Sequence, residues 1–203
     1  MDYKALQQIV YGNLGCLEFT ADLCRAVGDL EGDFCEAGVA AGGQLVNMHE
    51  CHPSKRIFAF DSFAGIPTHC DEDKEWTEAY GKGENDQRKS GGITNVPLEN
   101  CKGQIRRFIP NLARFVFIPG WFIDTLPALT TERFSIVRLD CDLYESYKVC
   151  LKELYPRLTV GGYLIIDDWG LSGCQAALKE YFGDELADFV FDTRLGNAYL
   201  KKK

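Results

Sequence analysis

Phe134-Ser135-Ile136-Val137-Arg138-Leu139-Asp140 is a short, mostly apolar run that ends in an acid. Leu143, Tyr147, Cys150, Leu151, Leu154 and Leu158 follow at helical spacing, and then Gly162-Tyr163-Leu164-Ile165-Ile166-Asp167-Asp168 repeats the pattern of an apolar run closed by acids. Strand, helix, strand with continuous apolar strands predicts a parallel sheet covered on both faces. Working outward, Asp33-Phe34-Cys35-Glu36-Ala37, Arg56-Ile57-Phe58-Ala59-Phe60-Asp61 and Phe115-Val116-Phe117-Ile118 read as three further strands. A helix is expected from about Gly43 to Cys51 and another from about Ser172 to Tyr181. Phe189-Val190-Phe191 and Ala198-Tyr199-Leu200 are expected to close the sheet as a hairpin, giving seven strands. Two helical patterns occupy the first thirty residues, one through Leu6, Ile9 and Val10 and one through Leu17, Phe19, Ala21, Leu23 and Ala26.

The 203 residues are 46% apolar and 26% charged, enough for one domain, 1–203, with a full core. A net charge of -8 argues against a phosphate-neutralising nucleic-acid face and against adhesion to anionic lipid. No apolar stretch approaches the ~20 residues of a membrane span, and Met1-Asp2-Tyr3-Lys4 does not open a signal peptide. Nine cysteines, an odd count without C-x-x-C, read as reduced and mostly packed thiols of a cytoplasmic protein. Residues 68–96 break the pattern: polar, aperiodic and glycine-containing, they are expected to be a functional lid or a solvated excursion.

In open α/β sheets ligands lie outside the carboxyl ends of the strands. The first strand ends in Glu36-Ala37-Gly38-Val39-Ala40-Ala41-Gly42-Gly43, whose small residues permit close backbone approach. Asp61 ends the second strand, where an acid can accept ribose hydroxyls; sites for NAD and for S-adenosylmethionine both use one. The G-x-G-x-x-G spacing is absent, and Glu36 would repel a pyrophosphate, whereas a sulfonium ligand meets no such conflict.

Asp140, Asp142, Asp167 and Asp168 converge at the ends of two strands. Their mutual repulsion needs a cation or a proton, and oxygen-only ligation favours magnesium, calcium or manganese. Helix capping is the competing reading for Asp142, which opens the capping box Asp142-Leu143-Tyr144-Glu145, and for Asp168. His49 and His52, three apart before Pro53, read as a helix terminus rather than a metal pair.

These segments, with Phe60-Asp61-Ser62-Phe63-Ala64-Gly65-Ile66-Pro67 and Pro119-Gly120-Trp121-Phe122-Ile123-Asp124-Thr125-Leu126-Pro127, resemble the TylF-type sugar O-methyltransferases over about residues 32–170. The resemblance implies a Rossmann-like class I methyltransferase fold, S-adenosylmethionine as methyl donor, a divalent metal (usually magnesium) and a sugar hydroxyl of a deoxyhexose, such as a rhamnose-like unit, as acceptor. It implies Glu36, Gly38, Gly42, Gly43, Asp61 and Ser62 at the cofactor, Asp140, Asp167 and Asp168 as metal ligands, and Asp142 as general base. His69, Glu75, Trp76, Tyr80, Trp121 and Trp169 are candidates for contact with the acceptor or cofactor. The sequence departs from the family at Cys141, commonly glycine, at Ala40 and Ala41, and in an N-terminal helical region of only about thirty residues. A homodimer and a place within a larger glycan-assembly protein remain as further expectations. A nicotinamide oxidoreductase, a catechol-type O-methyltransferase and a non-catalytic interaction subunit are the alternative readings.

Overall fold

A computed structural model of the chain describes residues 3–10, 14–192 and 195–203. Tyr11 to Asn13 and the pair Thr193–Arg194 lie outside the described residues, as does the Met1-Asp2 start of the opening tetrapeptide. Seven strands form one sheet: β1 (Asp33–Ala37), β2 (Ile57–Asp61), β3 (Phe115–Pro119), β4 (Phe134–Leu139), β5 (Leu158–Ile166), β6 (Val190–Asp192) and β7 (Asn197–Lys201). Their order is β3-β2-β1-β4-β5-β7-β6, with β7 antiparallel to its neighbours β5 and β6. The expected sheet and hairpin are therefore both present, in the arrangement of class I methyltransferases. Strand order reverses between β1 and β4, which places the crevice over the carboxyl ends of β1, β2, β4 and β5.

The helices are α1 (Tyr3–Leu6), α2 (Leu14–Ala26), α3 (Gly43–Cys51), α4 (Lys74–Tyr80), α5 (Leu98–Arg106), α6 (Phe122–Thr125), α7 (Tyr144–Leu154) and α8 (Ser172–Phe182). They divide between the sheet faces. On one face Tyr147, Cys150, Leu151 and Leu154 of α7 pack with Cys174, Ala177 and Leu178 of α8. On the other, Leu17 and Leu23 of α2 and Leu45, Val46 and Met48 of α3 pack with Ile105 of α5. Buried Asn47 fixes α3 to α2 by donating to the Leu17 carbonyl at 2.8 Å.

Burial on both faces is why the parallel strands read as unbroken apolar runs. β5 begins at Leu158, earlier than its apolar core suggests. Gly161, at φ 87, breaks the regular register there, and its N–H donates to the Lys202 carbonyl rather than to β4. Helix α5 has a sparse apolar stripe and was not visible in the periodicity. The nine cysteines form no disulfide; eight are buried and Cys51 is half-buried. Among the described residues, no helix is long and apolar enough to cross a membrane.

Candidate active site

Strand register assembles the site. Phe60 pairs with Ala37, Ala37 with Leu139 and Leu139 with Ile166, so the next residues of the four strands, Asp61, Gly38, Asp140 and Asp167, fall in one row along the carboxyl edge. The row is knitted by the N–H of Gly38 to the Phe60 carbonyl, of Asp140 to Ala37 and of Asp167 to Leu139, each at 2.9 Å. Gly38 is required there: at φ 87, any Cβ would lie 1.6 Å from the Asp140 carbonyl oxygen.

Above this row opens a cavity of about 250 Å³ lined by Gly38, Asp61, Ser62, Asp140, Asp142, Asp167 and Asp168, with Trp121, Phe122 and Ile123 as an apolar wall. Among the described residues no lysine or arginine lines it. Its potential is therefore negative, suited to cations and hostile to a pyrophosphate, which disfavours the nicotinamide alternative.

The acids are held by different means. Asp61 accepts the N–H groups of Val39 at 2.7 Å, Ala40 at 3.1 Å and Phe63 at 2.6 Å, clamping the glycine-rich loop. Asp168 Oδ2 accepts the N–H of Cys141 at 3.0 Å and of Asp142 at 2.9 Å and the hydroxyl of Tyr147 at 2.8 Å. That bonding holds Asp142 in the left-handed region at φ 60, an uncommon conformation for a residue with a Cβ. Ala40, at φ 46, is a second such residue on the cavity wall. Strain at both supports a functional loop pair. Among the described residues no hydrogen bond reaches the Asp142 carboxylate.

Beneath the row lies Arg138, 2% exposed, whose guanidinium joins Glu36 at 2.6 Å, Asp140 at 2.9 Å and Asp167. Asn197 also donates to Asp167 Oδ1, at 2.7 Å. Each of these carboxylates thus spends one oxygen on the protein. Ligand atoms of Asp140, Asp167 and Asp168 lie within 4.8 Å of one another. Oδ1 of Asp140, Oδ2 of Asp167 and Oδ1 of Asp168 carry no hydrogen bond among the described residues, a donor set that fits a hard divalent ion.

Proximity and burial raise the acids. Burial, with repulsion from Asp140 and Asp167, pushes Asp142 up to about 8. Burial and the neighbouring Asp142 and Asp167 push Asp168 to about 7. Burial, then repulsion from Asp167, holds Asp140 well above the carboxylate range despite Arg138. Glu36 reaches about 7 by burial, against the attraction of Arg138.

Residues 19–187 match the family described as Macrocin-O-methyltransferase (TylF). The chain belongs to the TylF family. The chain is 35% identical over 189 residues to the 8-demethyl-8-(2,3-dimethoxy-alpha-L-rhamnosyl)-tetracenomycin-C 4'-O-methyltransferase of Streptomyces olivaceus, covering 90% of this chain and 70% of that protein. Demethyldecarbamoylnovobiocin O-methyltransferase of Streptomyces niveus is 33% identical over 75% of this chain and 59% of its own length. The chain spans 59 to 70% of the length of the curated relatives it matches. Among solved structures, the O-methyltransferase NovP superposes with a TM-score of 0.79 at 27% identity, covering 94% of this chain and 81% of that one. As a TylF-family member with this fold, the chain is an O-methyltransferase dependent on S-adenosylmethionine.

Several expected site residues sit elsewhere. Glu36 does not reach the cavity; it is 1% exposed and faces Arg138. Gly42 and Gly43 are also absent from the cavity wall. A Cβ on Gly42 would meet Ile105, and one on Gly43 would meet Val10 and the Ile9 carbonyl, so both serve helix packing. Neither capping reading survives, since Leu143 and Leu171 occupy the N-cap positions of α7 and α8. Trp121 lines the cavity, whereas Trp169 packs at a tilt against Phe191, ring centroids 4.2 Å apart, and secures the hairpin. His49 and His52 pack against Phe115 and Phe34 at the end of α3.

Residues 68–96 are ordered rather than aperiodic: α4 lies within them, with Trp76 stacked on Tyr80. Their Glu75 accepts the N–H and hydroxyl of Ser172 at the start of α8. His69 contacts the Gly81 carbonyl at 2.6 Å. Of this segment only Gln87 and Thr94 reach the cavity. Sequence reasoning missed Arg138, Asp73, Gln87 and Tyr147. A signal existed for Arg138 alone, as a charge inside an otherwise buried strand.

Proposed function

We propose that residues 1–203 form one methyltransferase domain that methylates a sugar hydroxyl of a glycoside, a deoxyhexose such as a rhamnose-like unit, with a divalent ion, magnesium, at Asp140, Asp167 and Asp168. The observation that carries the reading is the convergence of the Asp140, Asp167 and Asp168 carboxylates on a cavity that Gly38, Asp61 and Ser62 also line. The names of the tetracenomycin rhamnosyl and novobiocin methyltransferases support the acceptor class.

S-adenosylmethionine supplies an electrophilic methyl group on a cationic sulfonium, and magnesium supplies Lewis acidity toward an alcohol of high pKa. Gly38 would leave room for the cofactor, and Asp61 and Ser62, which line the same cavity, would accept its ribose hydroxyls. The surrounding carboxylates favour the charged donor over its neutral product. Trp121, Phe122 and Ile123 exclude water from the reacting atoms. The Asp142 carboxylate, which accepts no hydrogen bond among the described residues, takes the hydroxyl proton as the sugar oxygen gains the methyl group. Its elevated pKa matches a base working near neutral pH.

Nine cysteines without a disulfide support a cytoplasmic location, and a homodimer or a place in a larger glycan-assembly protein belongs to the same proposal. The test is methyl transfer from S-adenosylmethionine to methyl α-L-rhamnoside and to a catechol, each with magnesium and with excess chelator. Magnesium-dependent methylation of the rhamnoside alone is expected. Preferential methylation of the catechol, or undiminished transfer in chelator, would overturn the reading.

A further inference from the structure

The catalytic cavity is small for its task. At about 250 Å³ it falls below the roughly 300–1,000 Å³ of ordinary small-molecule sites, yet it must receive the reacting ends of two substrates. A second groove of about 560 Å³ adjoins it, and the two share Gln87 and Ile123 as walls. The groove runs between α7 and α8, and its apolar surface comes from Ile123, Pro127, Val149 and Tyr181. Tyr181 is 40% exposed, its ring in edge contact with Tyr155 and Phe182.

We propose that this groove holds the neutral, aromatic aglycone of the acceptor glycoside while the attached sugar enters the catalytic cavity. The inference rests on the sugar-methylation reading and adds the part of the substrate that is not methylated. Charge along the rim supports a neutral occupant. Lys148 lies 3.4 Å from Glu180 and 4.0 Å from Glu145, and Lys152 lies 3.8 Å from Glu153, so both cations are already matched. An ionic ligand would have to break these pairs, whereas an apolar ring would only displace water from Val149 and Tyr181. Gln87 donates to Glu145 at 3.3 Å where the two spaces meet, which makes the 68–96 segment the threshold between sugar and aglycone. That contact gives the segment a role its sequence did not reveal.

The test is equilibrium binding, read without turnover. 2-Naphthol, 2-naphthyl α-L-rhamnoside and methyl α-L-rhamnoside would be titrated into protein saturated with S-adenosylhomocysteine and magnesium. Saturable binding of 2-naphthol is expected, and naphthyl rhamnoside should bind about tenfold or more tighter than methyl rhamnoside, as burial of a bicyclic ring implies. Val149→Glu should abolish both effects, with S-adenosylhomocysteine affinity and thermal midpoint reporting its folding. Tyr181→Ser is the second variant should Val149→Glu not fold, and it should weaken naphthol binding in the same direction. Absence of naphthol binding, or binding that both variants retain, would overturn the proposal. So would a dimer that Val149→Glu dissociates in sedimentation while naphthol does not bind, since a second copy would then be the occupant. If naphthol binds as expected but no rhamnoside is methylated, the failure falls on the acceptor assignment and not on the groove.

Discussion

The Asp73 carboxylate accepts the N–H of Tyr144 at 2.7 Å, joining positions 71 residues apart. Tyr144 is the first residue of α7 and lies two residues beyond Asp142, so a side chain from the 68–96 segment caps the helix that follows the Asp142 loop. Asp73 is 1% exposed and also accepts the Cys70 N–H at 3.1 Å. An acid at this place satisfies a free helical donor and complements the helix dipole.

Asp73→Ala should therefore lose about 1–3 kcal/mol of stability, because two buried donors lose their acceptor. Asp73→Asn keeps one acceptor oxygen toward Tyr144 and should recover part of the loss. Thermal unfolding of the three proteins checks this; an unchanged midpoint in Asp73→Ala would show the contact to be idle.

Asp61 clamps the glycine-rich loop, a duty that its position in sequence did not disclose. Its three backbone bonds use most of the roughly four acceptor sites of a carboxylate, leaving about one for a ribose hydroxyl. Asp61→Ala should lower S-adenosylhomocysteine affinity by about 1–3 kcal/mol and lower the thermal midpoint as well, since the loop at Val39 and Ala40 is freed. Calorimetric titration separates the two effects when Asp61→Asn is included. Affinity equal to that of the unaltered protein in Asp61→Ala would remove Asp61 from the cofactor site.

The sheet was legible because strands buried on both faces must be apolar throughout, and acids at their ends then stand out. Parallel register did the rest: once β1, β2, β4 and β5 pair in order, Asp61, Gly38, Asp140 and Asp167 have no choice but to align. Helix α4 was not legible since none of its residues is buried. Its placement comes from Asp73 and Glu75, whose partners Tyr144 and Ser172 are remote in sequence. The packing role of Gly42 and Gly43 was hidden for the same reason, as Ile105 and Ile9 meet them only in three dimensions.

The buried acids predict a pH dependence with a definite sign. Glu36 and Asp168 at about 7 and Asp142 at about 8 lie above the ordinary unfolded carboxylate value of about 4. The folded state then holds more protons than the unfolded one, so stability that is fully present below about pH 4 is lost as pH rises through 7 and 8. In chelator the thermal midpoint should fall from roughly pH 5 to roughly pH 9. Magnesium should raise the midpoint most on the alkaline side, where the carboxylates are ionised and repel one another. Scanning calorimetry with and without magnesium tests both parts. A midpoint that climbs with pH in chelator would contradict the raised values.

Asp142→Asn separates chemistry from architecture. The structure gives a better reason for choosing asparagine than helix capping, because Leu143 and not Asp142 is the N-cap. At φ 60 the residue must tolerate the left-handed region, and asparagine does so more readily than alanine. The Asp142 N–H still donates to Asp168 in the variant, so the loop keeps its anchor at 2.9 Å. Removing one of four crowded carboxylates also relieves repulsion on Asp140 and Asp168, so stability should hold or rise slightly at alkaline pH. Metal and cofactor affinities should stay near those of the unaltered protein, since Asp140, Asp167 and Asp168 are intact. Methyl transfer should fall about 10²–10⁴-fold, the usual contribution of a positioned proton acceptor. Single-turnover transfer, measured beside magnesium and S-adenosylhomocysteine binding, distinguishes the cases. Full activity would take the base role from Asp142, and lost magnesium binding with it would make Asp142 a ligand instead.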